Sequence, residues 1–283
     1  HCDSRGYDHR LNPVDSSGAL DLDIWKDNVA AEGGAIVSLI WANNETGVIS
    51  PVEKAAELAA ERGLFFHTDA VQAVGKIPVS VREMPIHALS MSAHKIYGPK
   101  GVGALFLNRD VRFQPLLWGG GQESERRSGT ENVAGIVGFG KAAELAKSRL
   151  DESESIAAKR DTFEEGLISE ISDIEINGDP KRRLPNTSNL YFPGVDGEGL
   201  LILLDEAGVC CSPGSACSTG AVQPSRIVKA MGHSSERARS SVRFSLSRNT
   251  TMDEIRNAIS AIKTAVGKLR VTMPSGGRVV INS

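Results

Sequence analysis

Residues 86–108 read IHALSMSAHKIYGPKGVGALFLN. Apolar and small residues lead to Ser92, a His-Lys pair follows, a Gly-Pro-Lys-Gly turn intervenes, and a second apolar run closes the stretch. The pattern predicts strand, turn and strand, with Lys95 where the first strand gives out. Working back along the chain, residues 64–75, LFFHTDAVQAVG, predict a strand ending near Asp69. Residues 33–47, GGAIVSLIWANNETG, predict a buried strand ending near Ala42. Between these two lies SPVEKAAELAAERGL, a helix with Ser50 as N-cap, Pro51 at its first position and Gly63 as its stop. Strand, helix and strand in succession imply an α/β sheet with parallel members.

The pattern changes further on. Residues 132–171 are charged and helical in period, with Phe163, Leu167, Ile168 and Ile171 expected on one apolar face. IEINGD, SNLYFPGV and SVRFSLS predict strands, and GEGLLILLDEAG a helix ended by Gly208. Residues 251–270 predict a helix opened by a capping box of Thr251 and Glu254. Two domains are expected: a large one over 1–150 and a smaller α+β one over 151–283, divided within helix near residue 150.

Composition narrows the function classes. The 283 residues carry a formal net charge of −3 and 40% hydrophobic residues, enough for a sizeable core and without the basic excess of a nucleic-acid or anionic-membrane binder. Apolar runs such as Leu200–Leu204 are too short to span a bilayer. His1 opens the chain with no basic and apolar leader, so no secretion signal is expected. Four cysteines, at 2, 210, 211 and 217, are too few and too clustered for a disulfide framework, and a reducing cytoplasmic setting is expected. No metal site is expected.

In open α/β sheets, ligands bind beyond the carboxyl ends of the strands. Three groups fall there: Asn43-Asn44-Glu45, Asp69 with Gln72, and Ser92-Ala93-His94-Lys95. Singly, each has an ordinary reading, as a turn, a helix cap and a solvated lysine. Together they supply an acid, an amide and a lysine with hydroxyl and imidazole neighbours. A desolvated lysine in such company suits a Schiff-base nucleophile, because burial disfavours the ammonium form. Pyridoxal phosphate calls for such parts: a lysine for the imine, an acid facing the pyridine nitrogen and donors for the phosphate.

HTDAVQAVGK and SMSAHKIYGPKGVGALF, with WANNETGVI, RRSGTENVAGIVGFG, LLDEAG, GSAC and VRFSLSRNTT in order, resemble the class V aminotransferase family, and within it the cysteine desulfurases of the nitrogen-fixation and housekeeping iron–sulfur types. The resemblance runs from about Ala35 to the end of the chain. It implies the fold type I architecture of pyridoxal-phosphate-dependent transferases: a mostly parallel central sheet flanked by helices, plus a smaller C-terminal domain. It implies that Lys95 holds the cofactor, that Asp69 faces its ring nitrogen, and that Gln72 and Asn44 lie near its phenolic oxygen and the substrate. Ser92 and His94 correspond to phosphate contacts, with His94 counted beside Lys95 and Cys217 in the catalytic set. Thr130 corresponds to a threonine that reaches the phosphate in a neighbouring subunit, which implies a homodimer. Arg243 corresponds to the arginine that binds the substrate α-carboxylate; the alternation Val242-Arg243-Phe244-Ser245-Leu246 sets it opposite the apolar residues, which fits that role and an ordinary surface arginine alike.

Cys217 corresponds to the sulfur-accepting cysteine. It lies in CSPGSACSTGAVQPS, whose Ser, Gly and Pro content predicts a mobile loop. Cys210 and Cys211 are expected to be structural. The activity implied is removal of sulfur from L-cysteine to give L-alanine and an enzyme-bound persulfide, for delivery to an iron–sulfur scaffold or another acceptor protein. The alternatives are a selenocysteine lyase or another enzyme of the same fold, or an inactive module for dimerisation or scaffold binding. The last is raised by one departure: the family pattern carries a glycine-rich phosphate loop and a ring-stacking histidine in a region preceding the part matched here.

Overall fold

Strands β1 (Ile36–Ile40), β2 (Phe65–Asp69), β3 (Ala88–Ser92) and β4 (Gly103–Leu107) form one sheet in the order β1-β2-β3-β4. The first two pairings are parallel and the third is antiparallel. The computed structural model describes residues 2–29, 35–213 and 224–272. It divides into two units. The first comprises residues 1–12, 22–42 and 50–151, and the second comprises 13–21, 43–49 and 152–283.

In the first unit, the parallel pairing of β1 and β2 follows from the helix Val52–Ala60 between them, since parallel neighbours need a crossover. That helix begins one residue later than the sequence suggests. Pro51 occupies the N-cap position without a side-chain cap, and Ser50 contributes only its carbonyl, to Val52 N at 2.9 Å. Gly63 does stop it, with φ +66°. Its buried Ala55, Ala56 and Ala59 leave room for Trp25 of the helix Leu22–Val29, whose indole donates to the Ala55 carbonyl at 3.2 Å and packs edge-on against Phe66. Phe66, Thr68 and Leu89 fill the covered face of the sheet. The apolar run through β1 suggests a strand covered on both faces. It alternates instead, with Ile36 75% and Ile40 43% exposed, because no described element covers that side.

The second unit carries β5 (Glu175–Ile176), β6 (Thr187–Tyr191), β7 (Ser212–Pro213) and β8 (Ser241–Ser245) in the order β5-β6-β8-β7, all antiparallel. Helices Ser153–Glu170, Gly197–Glu206 and Met252–Thr272 contribute to its core, where Phe163, Leu167, Leu190, Phe192, Leu200, Leu204, Phe244 and Ile262 meet. Ile168 is expected in that core but is 48% exposed; the buried positions Phe163, Leu167 and Ile171 follow a narrower stripe. The expected capping box is present: Glu254 N donates to Thr251 Oγ1 at 3.2 Å, and Thr251 N donates to Glu254 Oε2 at 2.7 Å. Gly208, at φ +76°, ends the Gly197–Glu206 helix.

In the first unit, one glycine permits a close approach of three segments. Gly75 sits at φ +75°, and a Cβ there would lie 2.8 Å from Ile96 Cγ2 and 3.0 Å from Ala146 Cβ. Gly75→Ala should therefore lose about 1–3 kcal/mol of stability, from backbone strain and from crowding Ile96 together. Urea unfolding of the variant beside the parent measures this; equal midpoints would show that the close approach is not needed.

Candidate functional site

Lys95 is held by a turn rather than by a strand end. After β3 the chain makes a 3₁₀ turn over Ala93–Ile96. A period of three sends the first and last residues of such a turn inward together. Ala93 and Ile96 are buried accordingly, against Phe139, Ala142 and Ala146 of the helix Val133–Ser148. Between them, His94 is exposed and Lys95 half-buried. The turn closes on Tyr97 at φ +65° and on Gly98, whose N–H donates to the Ala93 carbonyl at 2.9 Å. A Cβ on Gly98 would meet that carbonyl at 2.9 Å and Ala142 Cβ at 3.0 Å, so glycine is required there.

Asp69 ends β2, beside β3 in parallel register, with Asp69 opposite Ser90. One Asp69 carboxylate oxygen accepts Val71 N at 2.9 Å, which fixes the side chain at the strand end. Ser92 Oγ and His94 Nδ1 lie 2.7 Å apart, so two of the expected phosphate contacts already form a pair. Gln72 is half-buried and tied to Lys76: the ammonium donates to its carbonyl at 2.9 Å and its side-chain oxygen at 3.1 Å. Thr130 is exposed, in the segment where Ser128 Oγ donates to the Leu117 carbonyl at 2.7 Å. A nearby open cavity of about 460 Å³, lined by Phe113, Leu117, Trp118 and Gly119 among others, contains none of the expected cofactor residues.

His67 joins this sheet's polar groups without having stood out in the sequence. It stands two residues before Asp69 on the same face. Its Nδ1 lies 2.8 Å from Ser38 Oγ, and its Nε2 lies 2.8 Å from Ser90 Oγ, linking three strands. Burial pushes the imidazole below its ordinary pKa, and the charge of Asp69 pulls it partly back. The alternation of β2 is enough to place His67 on that face; only the structure shows the two hydroxyls that bracket it.

Asn44 and Arg243 belong to the second unit. The turn 43–47 is organised by Asn43, whose side-chain oxygen accepts the N–H of Glu45 at 2.9 Å and of Thr46 at 3.0 Å. Asn44 is exposed, and its carbonyl accepts Arg243 Nη1 at 2.7 Å. Arg243 lies on β8 opposite Asn189 of β6, its neighbours Val242 and Phe244 turned into the core. Glu45, 5% exposed, accepts the Ser225 hydroxyl at 2.5 Å. The sequence places Glu45 with Asn43 and Asn44 beyond a strand end but does not show its partner, which is 180 residues away. Cys217 lies outside the described residues. Cys210 is exposed, whereas Cys211 packs against the core of the second unit.

The residues present fit a pyridoxal cofactor on the chemistry of the donor set. An amine and a carboxylate sit at the ends of adjacent parallel strands, with a hydroxyl–imidazole pair beside the amine. Known proteins agree. Residues 2–257 match the family described as aminotransferase class-V. The chain is 46% identical over 272 residues to the cysteine desulfurase NifS of Azotobacter vinelandii, covering 96% of this chain and 67% of that one. It is 47% identical over 272 residues to a cysteine desulfurase of Sinorhizobium fredii, covering 96% and 70%. Among solved structures, a NifS-like protein superposes with a TM-score of 0.86 at 33% identity, covering 94% of this chain and 70% of that one. A NifS-like protein from Rickettsia africae does so with a TM-score of 0.84 at 32% identity, covering 90% and 69%.

The two described cysteines of the second unit should differ in reactivity. Burial, and after it the proximity of Cys210 and Asp205, pushes the Cys211 thiol up to about 12. At pH 8 only about one Cys211 in ten thousand is then thiolate, the form that alkylates. Peptide mass spectrometry after iodoacetamide treatment should find Cys210 modified and Cys211 intact until the protein is unfolded. Equal labelling of the pair in the native protein would contradict this.

Proposed function

We infer the function from a chain that belongs to the aminotransferase class-V family: it is a pyridoxal-phosphate-dependent cysteine desulfurase. The observation that carries this is identity approaching one half to cysteine desulfurases along 96% of the chain. The Lys95 turn beside Asp69 gives it a structural counterpart. The fold is the α/β fold of the NifS-like proteins, with a sheet whose β1, β2 and β3 run parallel.

When bound, pyridoxal phosphate supplies an electron sink for the bonds at the substrate Cα and Cβ. The roles we propose for the residues follow from their chemistry. The Lys95 amine would hold the cofactor and would move the proton at the substrate Cα. The Asp69 carboxylate keeps the proton on the ring nitrogen, where its fixed position at the end of β2 suits it. Ser92 and His94 hold the phosphate, Gln72 and Asn44 contact the cofactor and substrate, and the planar fork of Arg243 takes the substrate carboxylate. Cys217 takes the sulfur: the Cys217 thiol and L-cysteine give a Cys217 persulfide and L-alanine, with no external oxidant or reductant.

The finer assignments rest on the same ground. We propose a homodimer in which Thr130 serves the partner's phosphate. Leu116 and Trp118, 92% and 78% exposed in the segment that leads to it, support an interface there. The persulfide passes to an iron–sulfur scaffold or another acceptor protein in the cytoplasm. Among the described residues no helix is long and apolar enough to cross a membrane.

Two variants test the roles of Lys95 and Cys217. Lys95→Ala should lose alanine formation and the visible band of the bound cofactor. Cys217→Ser should keep that band and the exchange of the substrate Cα proton with solvent deuterium. Its sulfide release should fall by about two orders of magnitude or more, since a serine oxygen holds no transferable persulfide. Mass spectrometry should find a sulfur adduct of about 32 Da on the Cys217 peptide of the parent. An adduct on Cys210 or Cys211 instead, or full activity in Cys217→Ser, would remove Cys217 from the reaction.

A further inference from the structure

Glu45 is an expensive residue to bury. At 5% exposure, desolvation pushes its carboxyl pKa up, opposed by the Ser225 hydroxyl and the charge of Arg243. A buried carboxylate with no task beyond filling space is readily replaced by an amide or an apolar side chain. Its surroundings show what this one holds. The Glu45 N–H is bound by Asn43 Oδ1, and its carbonyl accepts Asn189 Nδ2 at 3.1 Å. Asn189 is itself fixed. Its Oδ1 accepts Asn177 Nδ2 at 2.8 Å, and Asn177 Oδ1 accepts Arg237 Nε at 2.6 Å. Asn189 also lies directly opposite Arg243 across the β6–β8 pair. The adjacent Asn44 carbonyl accepts the Arg243 guanidinium. On the other side of Glu45, the Ser225 hydroxyl donates to its carboxylate and accepts Val228 N at 3.0 Å, capping the helix Arg226–Ala230. Ser225 follows Cys217 by eight residues in the chain.

We propose that Glu45 is a positioning residue for the substrate carboxylate: it fixes the turn whose Asn44 carbonyl aims Arg243, and it ties that turn to the Ser225 cap. It acts through Arg243 and does not touch substrate. The inference rests on Arg243 being the carboxylate-binding residue. Three observations carry it: a nearly fully buried acid, its placement between the adjacent Asn44 carbonyl that accepts Arg243 and the Asn189 side chain that bonds its own carbonyl and stands opposite Arg243 in strand register, and a hydrogen bond from its carboxylate to a helix cap in a distant part of the chain.

The test compares two probes on the holoenzyme: L-cysteine, and cysteamine, which has the same amine and thiol but no carboxylate. Binding is read from the change each causes in the visible band of the cofactor, and KM and kcat are measured for L-cysteine. Glu45→Ala and Ser225→Ala should each raise KM for L-cysteine about tenfold, with kcat within about twofold of the parent. Cysteamine binding should stay unchanged in both. The double variant should be no worse than the worse single one, because the two residues act through one connection. Glu45→Gln keeps an acceptor for Ser225 and should fall between parent and Glu45→Ala. If Glu45→Ala does not fold, as judged by thermal melting, Glu45→Gln and Ser225→Ala decide. A loss shared equally by L-cysteine and cysteamine, or an unchanged KM, overturns the proposal. Arg243→Lys separates this from the underlying reading. If that variant still discriminates between the probes as the parent does, the assignment of Arg243 fails. If it loses discrimination while the Glu45 and Ser225 variants keep it, only the role of Glu45 fails.

Discussion

The clamp on the Lys95 turn is the constraint on which the first unit depends. An amine in the role proposed for Lys95 needs a backbone that cannot drift, yet its own side chain has to stay available. A 3₁₀ turn meets both demands by burying Ala93 and Ile96 and leaving His94 exposed and Lys95 half-buried between them. The helix Val133–Ser148 supplies the other jaw through Phe139, Ala142 and Ala146, and Gly75 and Gly98 let the parts close to contact distance. Small residues at these points are a condition of the site, because every added carbon would displace the turn that carries Lys95.

The second unit solves a different problem. In the role proposed for Arg243, a guanidinium that takes a carboxylate has to be aimed. Arg243 is steadied by a neutral carbonyl, that of Asn44, with the Glu45 charge nearby but engaged by Ser225. The polar groups behind it form a chain of amides, Asn189 and Asn177, ending on Arg237 and Glu175 at the edge. Such a network is worth its desolvation only when nearly every member is satisfied, and then it is stiff.

Much of this was legible in the sequence where local chemistry decides. The β2 strand to Asp69, the capping box of Thr251 and Glu254, and the glycine stops at Gly63 and Gly208 all depend on neighbours within a few residues. Lys95 and Asp69 are suggestive only as members of a group at the strand ends, and Arg243 only through the family resemblance. What stayed hidden depends on partners far along the chain. Ser50 looked like a cap, but the backbone began its helix after Pro51. Ile168 matched the helical period, yet the packed stripe is narrower than the period allows. The partners of His67 and Glu45 come from strands and loops that no spacing rule connects.

The turn 43–49 leaves β1 and returns to the helix Val52–Ala60, both in the first unit, while its own partners belong to the second. Arg182, Asn189, Ser225 and Arg243 all bond to it, and all are made more than a hundred residues later on the ribosome. During synthesis the turn therefore waits with its polar groups in water while the strands around it can already pair. The chain thus changes unit not only at Asp151–Glu152 but also at 12/13, 21/22, 42/43 and 49/50. A chain ending at Asp151 would carry Glu45 and its turn without Arg182, Asn189, Ser225 and Arg243.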